Sequence, residues 1–210
     1  MPRPQRLQDA GFLHHVVSVG NDRQVIFKSP QDFLTYFDLL DKARKQYPIK
    51  IYNFCLMDNH IHLLVEPLED GSLSRAMEYV AKGYAKYFNK TYHHEGHVFQ
   101  GRFKSFLVQS ERYYFACSRY IDLNPLKSQI VSDPKEYQWT GYKSLAFGEA
   151  PPIIMDVHSL YEGLGANEQE RRIAYKTLVF NYHGEDLDLL ERRTGVLGDK
   201  EFKNQFKSKR

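Results

Sequence analysis

The spacing of hydrophobic positions changes along the chain, and the changes mark its elements. Phe12-Leu13-His14-His15-Val16-Val17-Ser18-Val19 is rich in β-branched residues and ends at Gly20-Asn21-Asp22, so it reads as a strand. From Asp32 to Tyr47, Phe33, Phe37 and Leu40 recur at helical spacing, and Pro48 ends the run. Ile49 to Leu56 reads as a second strand, Asp58-Asn59 as a turn and His60 to Glu66 as a third strand. The connection is short enough for a β-hairpin. Leu73 to Tyr92 predicts a long helix with Met77, Val80, Tyr84 and Phe88 on one stripe. Lys82, Lys86 and Lys90 lie four apart on another face. Gly96 to Gly101 reads as a loop and Phe103 to Val108 as a fourth strand. Glu111 to about Asn124 reads as a helix closed at Asn124-Pro125, because a residue before proline resists helical angles.

This order predicts an α+β fold. Its core is a ferredoxin-like β-α-β-β-α-β unit with a four-stranded antiparallel sheet and helices on one face. The other face, or the end of the sheet, is then left for a ligand. After Gln138 the character changes. Pro151-Pro152 looks like a linker, and 156–164, 167–180 and 185–193 read as short helices. The expected organisation is a core domain over 1–149 and a small C-terminal helical appendage over 150–210, its end basic through Lys203, Lys207, Lys209 and Arg210.

Composition narrows the class. The 210 residues are 42% hydrophobic and 26% charged, as in globular chains. No apolar run approaches the ~18–20 residues of a membrane-spanning helix. Met1 to Arg6 lacks the apolar core of a secretory signal. Two cysteines, Cys55 and Cys117, exclude a disulfide framework and a multi-cysteine zinc site. These features favour a cytoplasmic protein with no membrane partner. The net charge of +3 conceals an uneven spread. Residues 51–70 hold Asp58, Glu66, Glu69 and Asp70 with no Lys or Arg, between two basic stretches. Basic stretches suggest an anionic partner. The acidic strip suggests a metal, or a place where the anion is handled chemically.

Chemistry concentrates in three segments. In Met57-Asp58-Asn59-His60-Ile61-His62-Leu63-Leu64-Val65-Glu66, strand alternation puts His60 and His62 on one face and Ile61, Leu63 and Val65 toward the core. Two adjacent imidazoles are a natural ligand pair for a metal, or simply two histidines on a wet strand face. Glu66 falls on the same face. In Arg119-Tyr120-Ile121-Asp122-Leu123-Asn124-Pro125, Tyr120 and Asn124 share a helical face. An asparagine carbonyl suits Mg²⁺ or Mn²⁺. Tyr113 and Tyr114 have Cys117 and Ser118 at that spacing, which are poor ligands for such an ion. The loop around Gly96-His97-Val98-Phe99-Gln100-Gly101-Arg102-Phe103-Lys104 mixes basic, aromatic and glycine residues, a composition suited to phosphates and stacked bases.

Together these blocks resemble the single-tyrosine HUH transposases, most closely the REP-associated tyrosine transposases. Met57 to Glu66 matches the family's Met-x-Asn-His-x-His-Leu-Leu-Val-Glu pattern, and Gly96 to Lys104 and Ser118 to Lys127 match its later blocks. The likeness spans roughly residues 3–145, with an echo at Val196 to Phe202. This chain has Val19 where family members often carry Arg. The resemblance implies that His60, His62 and Asn124 hold a divalent cation, Mg²⁺ or Mn²⁺. It also implies that Tyr120 attacks a phosphodiester of single-stranded DNA to form a 5′-phosphotyrosine link and release a 3′-hydroxyl. A second 3′-hydroxyl then rejoins the DNA without ATP. A free tyrosine is ionised about 1 part in 1000 near pH 7, a cost of ~4 kcal/mol, and a metal that draws charge from the phosphate offsets it.

Lys82, Lys86, Lys90, Arg102 and Lys104 are then candidates for phosphate contacts, and His97, Phe99 and Gln100 for base contacts. The expected DNA is a hairpin with a short single-stranded guide. Both a monomer and a homodimer fit the sequence. Two other readings compete: a former transposase that holds hairpin DNA without cutting it, and a metal-dependent hydrolase unrelated to DNA.

Overall fold

A computed structural model describes residues 10–153, 155–181 and 195–206, with the backbone alone for 110–112. Five strands form one sheet in the order β2-β3-β1-β4-β5. They are β1 (Leu13–Val19), β2 (Ile49–Met57), β3 (His60–Pro67), β4 (Lys104–Val108) and β5 (Val196–Leu197). The first four pair antiparallel in the ferredoxin-like order. The fifth was not expected. It runs parallel to β4, with Leu107 opposite Val196, and Phe206 closes a small apolar cluster there. Two residues carry too little pattern to read as a strand.

Helices α1 (Pro30–Gln46) and α2 (Ser72–Tyr92) cover one face. Val16, Ile61, Leu63 and Val65 meet Phe33, Phe37, Leu40, Met77, Val80, Tyr84 and Phe88 in that core. Ser29 and Asp32 form a capping box with Pro30 in the first turn, which fixes where α1 begins. Asp32 is fully buried and accepts from the Lys28 and Ser29 amides and from the Tyr87 and Tyr92 hydroxyls at 2.6–2.8 Å. Burial opposes its ionisation, but these donors hold its pKa below the ordinary carboxylate value. The ionised group therefore stabilises the fold fully above the unfolded value of 3.8, and that stability is lost as pH falls through the lower folded value. Asp32→Asn is expected to cost about 2–3 kcal/mol at pH 7. In urea melts the gap from the native protein narrows below about pH 4.

The opposite face is not left open. Helix α3 (Ser110–Asp122) lies across it, followed by α4 (Asn124–Lys127), α5 (Tyr142–Phe147), α6 (Ser159–Glu162) and α7 (Glu168–Asn181). Tyr113, Tyr114, Cys117 and Ile121 of α3 pack on Leu13, Cys55, Met57 and Leu64, and Tyr161, Tyr175 and Val179 complete this core. Ile153 reaches the first core, and Asp156 bonds the Ile51 backbone and Arg44, so the Pro151-Pro152 stretch lies against α1 and the edge strand β2. The expected helix over 185–193 lies outside the described residues, as do Lys207, Lys209 and Arg210. Lys203 stands on the last helix, α8 (Lys200–Gln205).

The helix before Pro125 stops at Asp122, two residues earlier than expected, and Asn124 begins a new turn with Pro125 inside it. Proline is acceptable there because a first-turn N–H has no helical partner to lose. A buried network sets the rotation of α3. The Asn53 amide donates to Asp122 Oδ1 at 2.9 Å and to Ser118 Oγ at 2.7 Å, and the Tyr175 hydroxyl donates to Asp122 Oδ2 at 2.5 Å. Burial pushes the Asp122 carboxyl up to about 7. Asp122 lies two residues after Tyr120, roughly 200° around α3, while Asn124 stands beyond the end of that helix. Locking Asp122 toward β2 turns Tyr120 toward β3.

Candidate functional site

The sheet, the 96–104 segment and α3 meet at the end of β1 and β3. Register pairs Val19 with His60 and Val17 with His62, and Lys104 lies opposite Val17 on the other side. All these residues share the face that α3 covers. His60, His62, Gln100, Lys104 and Tyr120 line one cleft of about 550 Å³, together with Arg23, Asp58 and Asn59. The His60 and His62 rings lie 4.9 Å apart, and the Tyr120 ring is 5.6 Å from His62. Asn124 Oδ1 is 3.4 Å from His60 Nε2, and its amide donates to the Tyr120 carbonyl at 3.2 Å.

Both histidines are held through their Nδ1 atoms. His60 Nδ1 is 2.6 Å from Asn59 Oδ1, and the Asn59 amide donates in turn to the Arg23 carbonyl. His62 Nδ1 is 2.9 Å from His15 Nε2. With both Nδ1 atoms engaged, the two rings turn Nε2 the other way, that of His60 toward the Asn124 carbonyl oxygen, which is the orientation a ligand histidine takes when it is held through its other nitrogen. Burial lowers the pKa of His60, and burial with the neighbouring His15 and His60 lowers that of His62 further, so both are neutral at pH 7. Among the described residues no group of three His, Cys, Asp or Glu side chains could hold a metal. Two imidazoles and the Asn124 carbonyl do suit a divalent cation, and such a neutral donor set would leave it most of its charge.

The acidic strip does not gather here. Asp58 lines the cleft, but Glu66 accepts from the Tyr52 hydroxyl, roughly 13 Å along β3 from His62. Glu69 is 3.9 Å from Arg75, and Asp70 accepts from the Ala10 amide. The expected DNA contacts also divide. Lys82, His97, Phe99 and Arg102 line a second cleft of about 550 Å³ on the α2 face, floored by Met77 and Val98. Phe99 is half-buried against the first core, and Lys82 is paired with Glu78. Lys86 and Lys90 are exposed farther along α2 and line neither cleft.

A thin ridge separates the clefts. Ser18 and Phe99 line one, while their neighbours Val19 and Gln100 line the other. Backbone bonds from Asn21 to Val98 and from Gln100 to Val19, both 2.9 Å, pin the loop to the end of β1. Gly20 permits a different close approach, that of the 24–26 segment and the Asn59 turn, since a Cβ there would lie 2.4 Å from the Gln24 carbonyl oxygen and 3.3 Å from that of Asn59.

Sequence reasoning missed His15, Asn59, Arg23 and Lys127 as parts of this site. Lys127 places its ammonium 4.8 Å from the Tyr120 ring centre. Its signal was available, since it lies one helical turn beyond the Tyr120-Asn124 pair. Arg23 brings a guanidinium to the cleft that Val19 lines.

Residues 10–124 match the family model described as Transposase IS200 like. Among solved structures, that of a REP-associated tyrosine transposase bound to a REP hairpin is similar, with a TM-score of 0.58 and 19% identity. The match covers 75% of this chain and 94% of that one. No curated protein matches the chain. No helix among the described residues is long and apolar enough to cross a membrane.

Proposed function

This chain belongs to the IS200-like transposase family, and on that premise we propose that it binds single-stranded hairpin DNA and cuts and rejoins it through a 5′-phosphotyrosine on Tyr120. The observation that carries this reading is the convergence of His60, His62 and Tyr120, from a strand and a helix far apart in sequence, on one cleft. The similar solved structure holds a REP hairpin, which supports a hairpin as the DNA partner.

His60, His62 and Asn124 would hold a divalent cation, Mg²⁺ or Mn²⁺. When bound, such an ion draws charge from the scissile phosphate. Tyr120 supplies the attacking oxygen. Its bond to phosphorus forms as the bond to the 3′ oxygen breaks, the phenolic proton leaves, and the 3′ oxygen takes up a proton. Attack by another 3′-hydroxyl reverses the exchange and frees Tyr120. Lys127, over the Tyr120 ring, favours negative charge beside it. Lys104 and Arg23 line the same cleft and suit the flanking phosphates. Arg102, His97 and Phe99 border the second cleft, where the strand can continue over the ridge.

The test is a denaturing gel of the protein with hairpin DNA from beside its own gene, with and without Mn²⁺. A DNA-linked band that appears with Mn²⁺ and vanishes with chelator is expected, and hairpin binding is expected to weaken at least about tenfold from 50 to 200 mM salt. Retarded DNA on a native gel with no covalent band would instead show a hairpin-binding protein that does not cut.

A further inference from the structure

We propose that His15 is a positioning residue for His62, holding that imidazole in the tautomer whose Nε2 lone pair faces the cleft. The inference rests on reading His62 as a metal ligand.

His15 lies on β1 two residues from Val17, the register partner of His62, so the two rings meet on the diagonal of the β1–β3 pair. They stack with centroids 5.1 Å apart and planes 15° from parallel. Phe106 stacks against His15 at 5.9 Å, and Tyr120 meets it edge-on at 5.8 Å. His15 is 2% exposed, so the ring cannot turn to water for another partner.

One proton lies between His15 Nε2 and His62 Nδ1, 2.9 Å apart. If His62 Nδ1 donates, His62 Nε2 keeps its lone pair and can bind an ion. His15 then accepts at Nε2 and carries its own proton on Nδ1, an atom with no hydrogen-bond partner among the described residues. Phenylalanine or leucine would fill the same space without a buried polar atom left over, so packing alone does not account for an imidazole here. His60 offers an internal parallel. Its Nδ1 faces the Asn59 carbonyl oxygen, and the Arg23 carbonyl fixes that amide's orientation. Each histidine of the pair thus has one dedicated acceptor behind it: Asn59 for His60 and His15 for His62.

Two variants separate the roles. His15→Phe keeps a ring in the stack but removes the acceptor, and His15→Gln keeps an acceptor. Mn²⁺ affinity is measured by calorimetry on the full chain, and the tautomer of His62 by long-range ¹H–¹⁵N spectra of the metal-free protein. His15→Phe is expected to bind Mn²⁺ about 10- to 100-fold more weakly, and His15→Gln to recover most of that loss. The native protein is expected to show His62 protonated at Nδ1. Native Mn²⁺ affinity in a folded His15→Phe protein would overturn the proposal, and so would His62 protonated at Nε2 in the native spectra, a readout that does not depend on any variant folding. If Mn²⁺ binding survives His62→Ala unchanged, the ligand reading itself fails and the proposal falls with it.

Discussion

Tyr120→Phe is expected to abolish the covalent protein–DNA product, by at least about 10⁴-fold, while hairpin binding stays within about twofold. The change removes one oxygen. The ring remains beside His62 and His15, 5.6 and 5.8 Å away, and beneath Lys127, so the fold and the cleft's charge are kept. The other tyrosines of α3 cannot substitute. Tyr113 and Tyr114 are 8% and 1% exposed and belong to the second core. Burial also pushes the Tyr114 phenol's pKa far up. Single-turnover cleavage and a native gel on the same samples read the two quantities apart. A covalent product that survives in the variant would place the nucleophile elsewhere.

Loss of either histidine comes next in size. His60→Ala and His62→Ala are each expected to slow cleavage about 10³-fold or more, with part of the loss recovered at high Mn²⁺. Their structural costs differ. His62 is 4% exposed, and its removal leaves His15 Nε2 without an acceptor or donor opposite, so His62→Ala is expected to cost about 1–3 kcal/mol of stability. His60 is only partly buried at the cleft wall, and its loss is expected to leave the melting temperature within a few degrees. Cleavage rates across an Mn²⁺ titration, with thermal melts on the same preparations, check both statements. Cleavage within tenfold of the native rate in folded His60→Ala and His62→Ala would remove the metal from the account.

Much of this architecture is local and so was legible in the sequence. Alternation places His60 and His62 together on one cleft, and Pro48 ends α1. The Tyr120-Asn124 spacing does bring the two side by side, the Asn124 amide donating to the Tyr120 carbonyl, but across a helix break rather than on one helical face. What failed to show was non-local. No periodicity says which face of the sheet a stripe of Tyr113, Cys117 and Ile121 will cover, and it covers the one expected to be open. Strand β5 depends on pairing with β4 from nearly ninety residues away. His15 was visible as a strand residue, but its partner follows from the β1–β3 register, which a one-residue slip would have inverted. Proline before a helix end and proline in a first turn look alike in sequence, so Asn124 reads as a stop there and stands as a start in the fold. The lysine row of α2 shows the reverse case. Its spacing was right, yet one member lines a cleft and two do not, because the 96–103 segment covers only part of the helix.

If Tyr120 is the nucleophile, the cut DNA stays bonded to it. After reaction with hairpin DNA and Mn²⁺, nuclease trimming, tryptic digestion and mass spectrometry identify the linked peptide directly. The expected product is a nucleotide joined through its 5′ phosphate to the peptide Tyr120–Lys127, on the tyrosine. A nucleotide on any other residue, or cut DNA ending in a free 5′ phosphate with no linked peptide, would contradict it.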